Sequence, residues 1–293
     1  MSLNQVIAVL GGDARQPALC EYLTQKGFQV QVYGVKMPRE VPYYDDWRET
    51  TKGAVAIILP LPASPDGQRL YMPLESDYEV PLVKDVFKIA AKRIVLGGKF
   101  SPSLKAMAGE MDVSLIDYFE NEALQQRNAL PTAEGAVSIL MREMPRTVSG
   151  MSVMVTGYGR VAKALIRLLL AMDARVTVTA RKKNDILAAR ALGCHTVLMT
   201  GEDAIREAAK GQAVIFNTVP YWLFSDSVLQ AVSPQTLIID LASAPGGVDS
   251  NAAAARNIRV IWALSLPGKY APATAGEIIG ETVLQELTRE GII

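Results

Sequence analysis

A β-rich run that ends in glycine and passes straight into an apolar helix restricts a chain to very few folds. Met151 to Ala162, MSVMVTGYGRVA, is such a run. Gly157, Gly159 and Ala162 have the spacing of a phosphate-binding turn. The first glycine permits a tight turn, the second lets a pyrophosphate approach the backbone, and the small third residue allows close helix packing. The first N–H groups of the helix, from Arg160 and Val161 onward, then face the anion, with Tyr158 inside the turn. Val161, Ala164, Leu165, Leu168, Leu169 and Met172 predict one apolar stripe against a sheet. A glycine turn that binds nothing is the competing reading; strand, turn, helix and a second strand in register weigh against it.

In NAD-preferring sites an acidic residue at the end of the second strand bonds the ribose hydroxyls. Here Val176 to Thr179 is followed by Ala180-Arg181-Lys182-Lys183. Arg181, supported by Lys182, suits a 2′-phosphate through charge-assisted hydrogen bonds, so NADP is expected rather than NAD, with a solvated basic loop as the alternative. Asn217-Thr218-Val219-Pro220, after the fourth strand of this half, is expected beside the nicotinamide ribose, or else is a plain turn.

The same alternation of short strands and helices runs through the whole chain of 293 residues. Strands are predicted at 6–10, 28–33, 54–59, 93–96 and 113–116, then at 152–156, 175–179, 196–199, 213–217, 237–241 and 259–262. The fold class is therefore α/β, with two Rossmann-like or flavodoxin-like domains of mostly parallel sheet and an interdomain cleft. The expected division is a first domain over 1–130, a linker helix over 131–145 started by Thr132, and a dinucleotide domain over 147–273. A last helix over 274–293 is expected to return to the first domain.

Composition excludes several functions. Lys+Arg and Asp+Glu both number 30, with no basic run, so nucleic acid is not an expected partner. The most apolar helix candidate, 161–172, is broken by Lys163 and Arg167, and Met1 to Arg15 has no basic leader, so neither a membrane span nor a signal peptide is expected and the cytoplasm is the expected location. Cys20 and Cys194 are far apart and His195 is the one histidine, which leaves no zinc set, disulfide framework or histidine triad. No metal site is expected, and the chemistry falls to other groups or a cofactor.

Two cations emerge from predicted strand ends of the first half: Arg15 after Gly11-Gly12 and Lys99 after Gly97-Gly98. Open α/β sheets bind ligands there, and two cations suit a dicarboxylate, although each alone also reads as a surface ion pair. Thr274 is expected to open the last helix toward the cleft, with Lys269 on the loop before it; simple capping by Thr274 is the alternative. Arg127 and Lys269 are the next candidates for a carboxylate clamp.

GGDARQ at 11–16, NALPTAEGA at 128–136, DLASAPGGVD at 240–249 and LPGKYAPATAGEI at 266–278 resemble the A-chain family of dipicolinate synthases, and the likeness covers essentially the whole chain. The resemblance implies a flavodoxin-like first domain, an NADP-binding Rossmann domain and an architecture similar to D-2-hydroxyacid dehydrogenases. It implies oxidation of dihydrodipicolinate to pyridine-2,6-dicarboxylate, with hydride passing to NADP, in the mother cell of a spore former. It also implies a partner, the second, flavoprotein-like subunit of the same dipicolinate synthase, and homo-oligomerisation is expected too. Arg15, Lys99 and Thr274 then become the candidate catalytic residues. The histidine of 2-hydroxyacid dehydrogenases has no counterpart in 264–272. The other readings are another NADP dehydrogenase of similar architecture and a non-catalytic NADP-binding subunit.

Overall fold

Short β-branched runs bounded by amphipathic segments give strands and helices in alternation, and the computed structural model describes residues 5–37, 41–73 and 78–293. The chain divides into two units, Met1–Asn128 with Pro267–Ile293, and Ala129–Leu266.

The first unit contains β1 (Val6–Leu10), α1 (Gln16–Gln25), β2 (Gln29–Tyr33), α2 (Trp47–Thr50), β3 (Ala54–Ile58), α3 (Val83–Ile89), β4 (Ile94–Gly97), α4 (Pro102–Glu110) and β5 (Ser114–Asp117), after which α5 (Glu122–Glu143) begins. The strands pair in parallel in the order β2-β1-β3-β4-β5. Nearly continuous apolar runs such as Val6–Leu10 are what a sheet covered on both faces requires. One face packs Ile7, Val9 and Ile58 under Leu19 and Leu23 of α1, and the other packs Ala8, Leu10 and Ile57 under Val86, Phe87 and Leu104. The order reverses between β1 and β3, so the carboxyl ends of those two strands open a crevice.

The second unit contains the rest of α5, then β6 (Ser152–Thr156), α6 (Arg160–Ala171), β7 (Arg175–Ala180), α7 (Lys183–Ala191), β8 (His195–Leu198), α8 (Glu202–Ala209), β9 (Val214–Asn217), α9 (Asp226–Leu229), β10 (Leu237–Asp240), α10 (Ser250–Ala255) and β11 (Arg259–Trp262). All its strand pairs are parallel, in the order β11-β10-β9-β6-β7-β8, which is the doubly wound dinucleotide-binding order with its crevice between β6 and β9. Met154, Ile215 and Ile238 on one face meet Ile205, Val228 and Leu229.

The chain then supplies α11 (Leu266–Tyr270) and α12 (Pro272–Arg289) to the first unit. Ile278, Ile279, Val283 and Leu287 of α12 join the α1 side of its core. The two helices touch backbone to backbone: a Cβ on Gly276 would run into the Arg15 carbonyl, and one on Gly280 would stand 2.6 Å from the Tyr22 ring.

Three expectations are corrected. The helix expected from Thr132 begins at Glu122 and carries Pro131 inside it. Burial of Leu124 before the proline and of Ala133, Ala136 and Leu140 after it outweighs the ~3 kcal/mol a mid-helix proline costs. The buried stripe of α6 is Ala162, Leu165, Ile166 and Leu169, turned from the expected one. Leu168 and Met172 instead line a groove against Val137 and Met141 of α5, so this helix has two apolar neighbours. The last helix starts at Pro272 with Ala271 as its N-cap, so Thr274 does not cap it, and Lys269 lies on the short helix α11 rather than on a loop.

Candidate active site

In the second unit the glycine turn leaves β6 at the crevice. Gly157 has φ +84°, a conformation that L side chains rarely adopt, and its N–H donates to the Thr179 carbonyl at 2.7 Å. A Cβ there would stand 2.9 Å from both Thr218 Oγ1 and Val219 Cγ2, so the turn after β9 presses directly on it. Gly159 is different. It is the N-cap of α6, it is exposed, and a Cβ on it would meet nothing within 4 Å. No side chain caps α6, so the N–H groups of its first turn have no acceptor from an N-cap side chain beside the open space at Gly159. Arg160 is exposed beside it, Val161 is half-buried, and the Tyr158 ring carries the Lys163 ammonium 5.1 Å from its centroid.

Asn217 sits here with its side chain bonded into the protein. Its side chain is fully buried: Oδ1 accepts from Thr156 Oγ1 at 2.6 Å, and Nδ2 donates to the Val219 carbonyl at 3.0 Å and to Asp240 Oδ1 at 2.8 Å. Asp240 also accepts from the N–H groups of Ala242 and Gly247. Thr218 closes the knot, its Oγ1 donating to the Thr156 carbonyl at 2.7 Å. Three neighbouring strand ends, β6, β9 and β10, are thereby tied together, and the backbone of Thr218, Val219 and Pro220 is held against Gly157. The sequence reading found Asn217 by position but missed Thr156 and Asp240, whose signal was a buried-strand terminus ending in a hydrogen-bonding side chain. Arg181 and Lys182 follow β7, both exposed, with Lys182 as N-cap of α7.

In the first unit Arg15 lies at the β1/β3 crevice, and it is not a surface cation. It is 5% exposed and forms a fork with Asp13, Nε to Oδ1 at 2.8 Å and Nη2 to Oδ2 at 2.7 Å, while Nη2 also donates to the Leu61 carbonyl. Burial disfavours its charge, and the hydrogen-bonded carboxylate of Asp13 more than offsets this, so its pKa is raised. Tyr118 is buried beneath, its hydroxyl donating to the Leu59 carbonyl at 3.0 Å, with burial pushing the phenol up and Arg15 pulling it down. Gly268 of α11 approaches the pair so closely that a Cβ would stand 3.1 Å from Arg15 Nε.

The other expected cations are placed differently. Lys99 is exposed, with φ +58°, its ammonium 5.4 Å from the centre of the Phe119 ring and its N–H donating to Asp117 Oδ1 at 2.9 Å. Arg127 is exposed and pairs with Glu281 of α12. Lys269, next to Gly268, and Thr274 are both exposed. Among the described residues no cluster of three or more His, Cys, Asp or Glu could hold a metal ion, and no helix is long and apolar enough to cross a membrane.

Residues 6–119 match the family model of the N-terminal domain of dipicolinate synthase A chains. The sequence is also 31% identical to the dipicolinate synthase A chain of Bacillus subtilis, over 97% of this chain and 96% of that one. The protein belongs to the dipicolinate synthase A-chain family. The crystal structure of the Bacillus subtilis A chain superposes with a TM-score of 0.84 at 28% identity, covering 99% of this chain and 97% of that one. Its counterpart from Bacillus halodurans gives 0.87 at 25% identity, covering 98% and 99%. The fold extends beyond this family: D-lactate dehydrogenase from Escherichia coli, at 13% identity, has a TM-score of 0.65 over 98% of both chains. The two-sheet α/β fold is thus shared with that dehydrogenase.

Proposed function

We propose that this chain is the oxidoreductase component of a dipicolinate synthase, converting dihydrodipicolinate to pyridine-2,6-dicarboxylate with NADP as oxidant. The observation that carries the cofactor half is the Gly157–Gly159 turn, whose second glycine has open space where a side chain would be, before an uncapped helix N-terminus. NADP when bound there accepts hydride. Arg181 and Lys182, exposed at the end of β7, suit its 2′-phosphate, and Gly157, Tyr158, Arg160 and Val161 belong to the pyrophosphate turn. The knot of Thr156, Asn217 and Asp240 holds Thr218, Val219 and Pro220 rigid where the nicotinamide ribose belongs.

The substrate half rests on Arg15, a buried guanidinium at the other crevice, which suits one carboxylate of a flat diacid. Lys99 and Thr274 are the further candidates for the second carboxylate. Loss of a hydride to NADP and of a proton to water makes the ring aromatic, so binding and orientation are the main tasks of these groups. Residence in the cytoplasm of a sporulating mother cell, assembly into homo-oligomers and partnership with the second, flavoprotein-like subunit belong to the same reading. The Bacillus subtilis relative is by name one of a synthase's subunits, which supports the last.

The test is absorbance of pyridine-2,6-dicarboxylate formed from fresh dihydrodipicolinate and NADP, with and without the companion subunit. NADP-dependent product is expected, and Arg15→Ala should lower kcat/KM by about 30- to 150-fold, the loss of one charge-assisted contact of ~2–3 kcal/mol. Product formation that ignores NADP, in both preparations, would overturn the reading.

A further inference from the structure

A guanidinium has five N–H groups, and the surroundings of Arg15 use three. Nε–H goes to Asp13 Oδ1, and the two hydrogens of Nη2 go to Asp13 Oδ2 and the Leu61 carbonyl. Among the described residues nothing accepts from Nη1. The side chain is 6% exposed, and Gly268 covers the Nε side, its Cβ position lying 3.3 Å from Asp13 Oδ2. Asp13 is itself fixed, its N–H donating to Gln16 Oε1 at 2.8 Å and its Oδ1 accepting from the Arg15 N–H at 3.2 Å. One edge of a buried cation is therefore left to meet a ligand, in a plane set by residues that do not reach that edge.

An acidic partner here has two opposite consequences. Its charge neutralises the guanidinium and weakens the pull on any second anion. Its fork desolvates and orients the guanidinium in advance, which removes the cost of ordering a long side chain when a ligand binds. Burial decides between them, because an unpaired guanidinium is not stable in a site this enclosed and Arg15 would leave it for water without Asp13.

We propose that Asp13 is a positioning residue for substrate recognition: it grips Arg15 along the Nε–Nη2 edge so that Nη1 is presented, in plane, to a substrate carboxylate. The inference rests on the carboxylate-binding role given to Arg15 above. Asp13 selects for a flat acceptor lying in the guanidinium plane, and the pair, being neutral overall, recognises it by direction more than by charge.

The test is calorimetric titration of pyridine-2,6-dicarboxylate into the NADP-saturated full chain, and of NADP into the chain alone, for wild type, Asp13→Asn, Gly268→Ala and Arg15→Ala, each checked for folding by circular dichroism melts. Asparagine keeps the size of Asp13 but turns an NH2 toward Nη2, whereas Gly268→Ala pushes on the pair from outside and leaves the Asp13 charge in place. Asp13→Asn and Gly268→Ala should both weaken the dicarboxylate by at least about tenfold while NADP affinity stays within about twofold, and in turnover KM should rise more than kcat falls. Dicarboxylate affinity unchanged or raised in Asp13→Asn overturns the proposal, since neutralisation and not orientation is then what Asp13 contributes. An equal loss of NADP affinity in these variants overturns it too, as general damage. If Arg15→Ala itself binds the dicarboxylate as wild type does, the role of Arg15 fails first; a loss in Arg15→Ala with none in the other two rejects the positioning role alone.

Discussion

Both sheets launch a helix from a glycine turn at their crevice, yet the two turns are filled in opposite ways. After β6 the turn is empty of the protein's own side chains at Gly159, and no side chain caps α6. After β1 the corresponding space is taken. A Cβ on Gly12 would collide with the Gln16 amide, one on Gly11 would stand 2.6 Å from Met72, and the Gly12 N–H is bonded to the Tyr71 carbonyl at 2.8 Å. The carboxylate of Asp13 bonds the Arg15 N–H at the start of α1, so an internal anion sits where the other unit leaves room for an external one. Glycines after a strand therefore do not by themselves make a nucleotide site. What matters is whether the chain supplies its own filling.

Filling the open turn should have the largest effect. Gly159→Val places a side chain in space that no protein atom uses, so its thermal midpoint should stay near wild type while NADP affinity falls by about 100-fold, ~2.7 kcal/mol. Calorimetry alongside a melt checks both halves, and cofactor binding that survives would mean the pyrophosphate lies elsewhere. The mirror experiment is Gly12→Ala. Here φ is +117° and the Gln16 amide is in the way, so about 2 kcal/mol of stability should be lost in a urea titration, with NADP affinity untouched. A loss of cofactor affinity instead would mean that the first crevice also binds the nucleotide.

Smaller effects are expected at Arg181 and Thr274. Arg181→Asp should cut the preference for NADP over NAD by at least about tenfold, the worth of one charge-assisted phosphate contact near ~1.5 kcal/mol. Equal dissociation constants in the wild type would remove the premise. Thr274→Ala should change stability by less than about 0.5 kcal/mol, because Ala271 and not Thr274 caps α12 and the side chain is exposed. A kinetic defect in this well-folded variant would then mark contact with a ligand rather than a helix end.

The strands were legible because their signal is local. A β-branched run between turn residues, as at Val6–Leu10 or Leu237–Asp240, is sufficient, and the Gly157 turn was legible because strand, spacing and helix coincide. What escaped the sequence depends on residues distant along the chain. Pro131 looked like a helix start because its neighbours' burial was not visible, and the stripe of α6 was misjudged because α5 takes up its second apolar edge. Arg15 was singled out correctly as a cation at a strand end. Its carboxylate partner two residues away and the Leu61 carbonyl that complete its setting follow from the turn's geometry, which spacing alone does not give.

The first unit takes its covering helix from the far end of the chain, and this fixes an order of events during synthesis. When residues 1–128 have left the ribosome, Leu19 and Leu23 of α1 have as yet no Ile279 or Leu287 to meet, and the glycine-lined contact with α12 cannot form. The later unit, continuous from Ala129 to Leu266, holds all its own strands and is complete first. The core of the first unit therefore cannot close until the whole of the second unit has been made, so its folding should depend on chain made after Leu266. Until Pro267–Ile293 are made, the α1 side of the first unit's sheet lacks the apolar cover that α12 supplies.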